Sequence, residues 1–183
     1  RALKNQFIQP DKEARKIGTI NSFYKNSSGK LSAFNSDGEA AIKCLKNNKV
    51  NIKNKKILML GCGGAGKAIA TYLSESLIDK KNLSICVRNI NKYKKYTNSI
   101  GAQIIDWKHK DTVLNKFDLI INTTSVGFKH KIKSPLSAKL INNLAVKTII
   151  FDIIYDPIET FLIKSAKKRG LKTINGIEMN FLQ

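Results

Sequence analysis

Apolar and polar positions change their rhythm along this chain. From residue 56 onward, short apolar runs recur: KILMLG (56–61), LSICV (83–87), AQIID (102–106), FDLIIN (117–122), KTIIFDIIY (147–155) and LKTIN (171–175). Helical spacing falls between several of them, in AGKAIATYLSESL, NKYKKYTNSI and ETFLIKSAKKRG, the last closing at Gly170. Continuous apolar strands alternating with amphipathic helices predict a parallel sheet covered on both faces.

Before residue 56 the pattern differs. Residues 1–16 read as polar, with short helical stretches around Pro10. Ile20–Tyr24 and Leu31–Phe34 alternate like strands and flank the turn Asn26–Gly29, which predicts a hairpin. A helix is expected from Ser36 or Asp37 through EAAIKCL, with an N-cap residue ahead of it. The polar stretch NNKVNIKNKK (47–56) is the expected domain boundary. The fold class is therefore α/β: a doubly wound, Rossmann-like sheet preceded by the trailing part of a second α/β domain. The expected division is 1–50, 51–175, and a returning helix over 176–183.

The 183 residues include 42% apolar ones, enough for a core and against global disorder. Thirty-three Lys and Arg face 13 Asp and Glu, a net charge of +20, which raises the question of nucleic acid. The excess is mostly lysine spread over the whole length, and neither an RNA-binding aromatic signature nor a zinc-finger spacing accompanies it, so no nucleic-acid partner is expected. Cys44, Cys62 and Cys86 match neither a zinc motif nor a disulfide framework, and a reducing cytoplasm is the expected setting. No run reaches the roughly 18 apolar residues of a membrane span. His109 and His130 lie in polar stretches and are given no chemistry.

The chemistry concentrates at GCGGAG, residues 61–66. It fits G-x-G-x-x-G, follows an apolar strand and opens a helix, the context in which that pattern signals dinucleotide binding. Gly61 suits the tight turn, Gly63 the approach of a pyrophosphate, and Gly66 close packing of helix on sheet. The helix N-terminus offers N–H groups and a positive dipole end to phosphates. In NAD-binding chains a carboxylate follows ~20 residues on and holds the ribose hydroxyls. Here the second strand ends in Val87-Arg88-Asn89, with Lys92 one turn later. A guanidinium forks onto phosphate and an ammonium adds a point charge, so the expected cofactor is NADP, with its 2′-phosphate at Arg88 and Lys92.

Taken in order, the motifs resemble the shikimate dehydrogenase family. IGTINSF is similar to its I-G-A-V-N-T stretch, SAFNSDG to G-x-N-T-D-G and GCGGAGKA to G-A-G-G-A-x-R/K-A. VRNINK resembles the N-R-T-x-x-R/K clamp, with Val87 and Asn89 departing from it. INTTSVGF, FDIIYDPIETFL and GIEMNFLQ resemble N-A-T-x-x-G-M, D-x-x-Y-x-P-x-x-T-x-L and G-x-x-M-L-x-x-Q. The resemblance implies NADP-dependent, reversible reduction of 3-dehydroshikimate to shikimate in aromatic amino-acid biosynthesis. It implies substrate contacts at Asn21, Asp37, Tyr155 and Gln183. For the cofactor it implies Gly61, Cys62, Gly63, Gly64, Ala65, Arg88, Asn89 and Lys92, with Ile153 and Gly176 beside the nicotinamide. Asp37 would partner a catalytic lysine expected just upstream of Arg1; Lys4 and Lys12 do not match it. The chain alone is thus expected to bind cofactor with little turnover, and the longer protein to act as a homodimer.

Other readings stay open at single positions. Asp37 also reads as a helix N-cap, Asn21 as a partner for hairpin backbone, and Tyr155 as an ordinary core or turn residue. A quinate/shikimate dehydrogenase, the dehydrogenase part of a fused dehydratase–dehydrogenase, and a non-catalytic nucleotide-binding module are the alternatives. An acidic residue after the second strand would favour the NAD-using quinate branch, and there is none.

Overall fold

The computed structural model describes residues 8–129 and 132–183; Lys4 and His130 lie outside them. Six parallel strands build the larger sheet: β4 (Ile57–Leu60), β5 (Leu83–Val87), β6 (Gln103–Asp106), β7 (Leu119–Asn122), β8 (Ile149–Asp152) and β9 (Lys172–Ile174). Their spatial order is β6-β5-β4-β7-β8-β9. The sheet grows outward from β4 to one side, then restarts at β7 on the other. That reversal opens a crevice at the carboxyl ends of β4 and β7, where doubly wound sheets bind ligands.

Both faces of the sheet are buried, so alternate side chains feed two cores. Ile57, Met59, Ile85, Ile121 and Phe151 pack with Ala41, Leu45, Ile69 and Leu73 of the helices α2 (Asp37–Asn47) and α3 (Gly64–Ser76). Leu58, Leu60, Ile120 and Ile150 pack on the other side with Ile141 of α6 (Ala138–Asn142) and Leu162, Ile163 and Ala166 of α7 (Phe161–Lys168). Each of the Leu, Ile, Met and Phe side chains contributes roughly 1.5–3 kcal/mol when removed from water. The unbroken apolar runs in the sequence are the direct result of this two-sided burial.

The smaller sheet has the order β1-β3-β2, with β1 (Ile8–Pro10) parallel and β2 (Ser22–Lys25) antiparallel to β3 (Leu31–Phe34). The hairpin is where it was expected, and Asn26 closes it by accepting from the backbone N–H groups of Ser28 and Lys30. Of the short helical stretches expected around Pro10, one is present at Lys12–Ile17, but residues 8–10 form an edge strand. There a proline interrupts no ladder, since its missing N–H faces away from the sheet. Asp11 then caps α1 (Lys12–Ile17), accepting from Ala14 N at 2.6 Å. The strand expected to run to Tyr155 ends at Asp152, because the following residues leave the ladder to line the crevice. The short helices α5 (Lys110–Val113) and α6 were not foreseen; each is too short to show a period.

Close packing and side-chain hydrogen bonds hold the small sheet and its helix against the large one. Gly38 in α2 lies so close to α3 that an added Cβ would stand 2.3 Å from the Tyr72 ring and 2.7 Å from the Ala68 carbonyl. At the other end α8 (Gly176–Phe181) returns to α2, where Glu178 accepts from the side chains of Asn47 and Asn48.

Candidate dinucleotide site

The turn between β4 and α3 is shaped by its neighbours. Gly61 has φ +100°, and a Cβ there would meet Thr124 Cγ2 at 2.8 Å, so only glycine fits without strain. A Cβ on Gly66 would lie 2.9 Å from Thr123 Oγ1, which lets α3 approach β7. Gly63 is different: a Cβ there meets nothing within 4 Å. No protein atom demands glycine at this point, which faces the cleft, and the space suits a ligand's close approach to the backbone. The first intrahelical bond is Lys67 N to Gly63 O, so the N–H groups just before it are free of the helix's own ladder. Burial pushes the Cys62 thiol up to about 11, partly opposed by Lys67; the side chain therefore stays neutral beside the free N–H groups of the turn.

Around this turn lies a cleft of about 990 Å³, at the upper end of the roughly 300–1,000 Å³ of small-molecule sites. Residues 61–65 form its floor, Arg88, Asn89 and Lys92 one end, and Ile153 and Tyr155 the other. Arg88 and Lys92 are exposed on the rim, and neither takes part in an ion pair among the described residues. Asn89 spends its side chain as the N-cap of α4 (Ile90–Ile100), accepting from Lys92 N at 3.0 Å, which fixes the turn that presents both cations. The one carboxylate at the end of the neighbouring strand, Asp106, turns onto Lys108 instead. At the far end Tyr155 packs edge-on against Phe128, ring centroids 5.7 Å apart.

A second cluster gathers Asn21, Asp37 and Gln183. Gln183 Nε2 donates to Asp37 Oδ1 at 2.7 Å, and the Asn21 carbonyl oxygen accepts from Ser36 N at 3.1 Å. Asp37 is the first residue of α2 and not its cap; that position belongs to Ser36. Burial raises the Asp37 pKa, opposed by hydrogen bonds from Asn21 and Asn35. The two clusters are linked. Asn35 accepts from Asp37 N at 3.0 Å and donates to Thr19 Oγ1 at 3.2 Å, and Thr19 donates to the carbonyl of Gly64 in the glycine turn at 3.3 Å. Gly176 lies off the cleft wall, tight against Ile153, whose carbonyl oxygen an added Cβ would reach at 2.1 Å.

The model of the shikimate / quinate 5-dehydrogenase family matches residues 43–157, most of the larger sheet. This chain belongs to that family. The shikimate dehydrogenases (NADP(+)) of Methanococcus maripaludis and of a Geobacillus species are each 35% identical to it over 175 residues, covering 92% of the chain. The chain spans about 60% of the length of these relatives. Thermus thermophilus shikimate 5-dehydrogenase, solved with NADP(H) and shikimate, superimposes with a TM-score of 0.83 at 26% identity, over 99% of this chain and 64% of that one. The Rossmann-like architecture is thus that of the shikimate dehydrogenases.

Several cleft residues of this family member escaped sequence reasoning. Trp107 and Lys110 complete the wall beside Arg88, with the Lys110 ammonium 5.3 Å from the centre of the indole and 2.7 Å from Asp111. They follow β6 directly, and their only signal was position at a strand's carboxyl end. Phe128 closes the motif INTTSVGF without a role being assigned to it, and Ser134 was hidden in the polar loop that follows. Asp152, fully buried behind the cleft lining, stood inside the quoted motif FDIIYDP, but its burial was invisible there. Among the described residues no group of three or more His, Cys, Asp or Glu is arranged to hold a metal, and no helix is long and apolar enough to cross a membrane.

Proposed function

We propose that this chain forms the NADP-binding domain and the trailing part of the substrate domain of a shikimate dehydrogenase. Its division would be residues 1–50, 51–175 and 176–183. The observation that carries the reading is the coincidence of the glycine turn with two unpaired cations at the ends of β4 and β5. The N–H groups at the start of α3 would hold the pyrophosphate, while Arg88 and Lys92 would hold the 2′-phosphate. The bound nicotinamide supplies the hydride acceptor or donor for a ring alcohol or ketone.

The chain's own residues do the placing. Asn21, Asp37, Tyr155 and Gln183 offer the fixed donors and acceptors that a hydroxylated ring acid needs. Asp37, held by Gln183 and Asn35, would orient a lysine supplied by the leading part of the substrate domain and tune its proton affinity. Ile153 would bound the nicotinamide, and Gly176, off the cleft wall, would let its own backbone pack close behind Ile153. The relatives named above are shikimate dehydrogenases (NADP(+)), which supports both the cofactor and the reaction. The test is oxidation of shikimate with NADP⁺ by a protein in which this chain is joined to its leading substrate-side segment. Reduction of NADP⁺ with shikimate, and much less with quinate, is expected. No reduction with either acid would refute the reading.

A further inference from the structure

We propose that Asp152 is a positioning residue, which through Asn122 locks the loop after β7 to the loop after β8 and so sets the width of the cleft at its nicotinamide end. The proposal rests on the reading of the cleft as a dinucleotide site. Asn122 and Asp152 are the last residues of adjacent strands and register partners in the parallel ladder. Both are fully buried.

Every polar atom of the pair is committed. Asp152 Oδ1 accepts from Asn122 Nδ2 at 2.9 Å and from Ile154 N at 3.2 Å. Its Oδ2 accepts from Thr160 Oγ1 at 2.7 Å, and Thr160 in turn caps α7. The Asn122 carbonyl oxygen accepts from Thr124 N at 3.0 Å and Thr124 Oγ1 at 2.7 Å. The two donors on that oxygen fix which way the amide faces. One loop therefore hangs from Asn122 and the other from Asp152, and their side-chain hydrogen bond joins the two loops at the base, beside the backbone bonds from Ile153 N to Asn122 O at 3.2 Å and, farther out, from Lys129 N to Asp156 O at 2.8 Å. Thr124, Ser125 and Val126 line the cleft from the first loop, and Ile153, Ile154 and Tyr155 from the second.

Packing alone does not explain a carboxylate here. No cation is among its hydrogen-bond partners, and a buried acid without one is a costly filler between two apolar strands. What the acid adds is direction. It accepts three bonds from three different segments, which no apolar side chain does.

The test separates positioning from general stability by using two ligands. NADP⁺ spans the whole cleft, whereas 2′,5′-ADP has the adenosine half and no nicotinamide. Binding of both is measured by calorimetry on wild type, Asn122→Asp and the exchanged pair Asn122→Asp/Asp152→Asn, with folding checked by circular dichroism. Asn122→Asp sets two carboxylates face to face and breaks the bridge; the exchange restores one donor and one acceptor across it, while Ile154 N loses the oxygen it shared with Asn122. The single variant is expected to lose about tenfold in NADP⁺ affinity, the scale of one hydrogen bond, and the exchanged pair to regain part of it. Affinity for 2′,5′-ADP is expected to stay within about twofold throughout, because the adenosine end takes no part in the bridge. If Asn122→Asp does not fold, Asn122→Ser, which removes the bridge without adding charge, is expected to show the same split. Equal loss for both ligands, no loss for NADP⁺, or a folded exchanged pair without recovery would overturn the bridge. Wild type binding neither ligand would overturn the dinucleotide reading and the bridge with it.

Discussion

Gln183 reaches Asp37 across 146 positions of sequence and donates to its Oδ1 at 2.7 Å. The contact closes α8 onto the start of α2 and leaves the carboxylate largely buried, with its pKa raised. As a side chain in the first turn of α2, Asp37 gains from the helix dipole, but it does not cap the helix. Asp37→Asn keeps the shape and removes the charge. It is expected to change stability by no more than about 1 kcal/mol. In a protein carrying the leading substrate-side segment, shikimate oxidation is expected to fall at least roughly tenfold, with a shifted pH–rate profile. Thermal melting and turnover against pH, for wild type and variant, check both.

Asp152 makes a pH prediction of its own. Burial pushes its carboxyl from the ordinary 3.8 up to about 6, against the opposing bonds from Thr160, Ile154 and Asn122. The folded chain then holds this proton more tightly than the unfolded chain does. Stability from this group is full at low pH and falls as pH rises from about 4 to 6, by about 3 kcal/mol. Asp37 acts in the same direction. Urea unfolding at several pH values is expected to show this decline in wild type and a flatter profile in Asp152→Asn.

The first two glycines of the G-x-G-x-x-G turn separate by mutation. Gly61→Ala places a side chain at positive φ and against Thr124, and is expected to cost about 1–3 kcal/mol of stability. Gly63→Ala meets no protein atom and is expected to stay within about 0.5 kcal/mol of wild type. Its methyl group stands where the pyrophosphate would approach, so NADP⁺ affinity is expected to drop at least about tenfold. Chemical unfolding and calorimetry on both variants measure the contrast.

Much of this was legible in the residues because the physics was local. Runs such as KILMLG and FDLIIN announce strands buried on both faces, and glycines between strand and helix announce the tight turn of the cleft floor. Arg88 and Lys92 follow a strand closely enough that their place on the rim needed no tertiary information. What stayed hidden depended on partners far away in sequence. The Asp152 bridge joins β7 to β8, and Trp107 and Lys110 reach the cleft only because β6 pairs with β5. The strand at Ile8–Pro10 exists because β3 lies beside it, and three residues carry no period to read.

The central claim is that the basic end of the cleft selects a 2′-phosphate. Calorimetric titration of this chain with NADP⁺ and with NAD⁺ tests it most directly, together with the Arg88→Ala variant. NADP⁺ is expected to bind more tightly than NAD⁺, and Arg88→Ala to remove about 1–3 kcal/mol of that preference, the scale of a charged hydrogen bond. Equal affinity of the wild-type chain for the two cofactors would contradict the account.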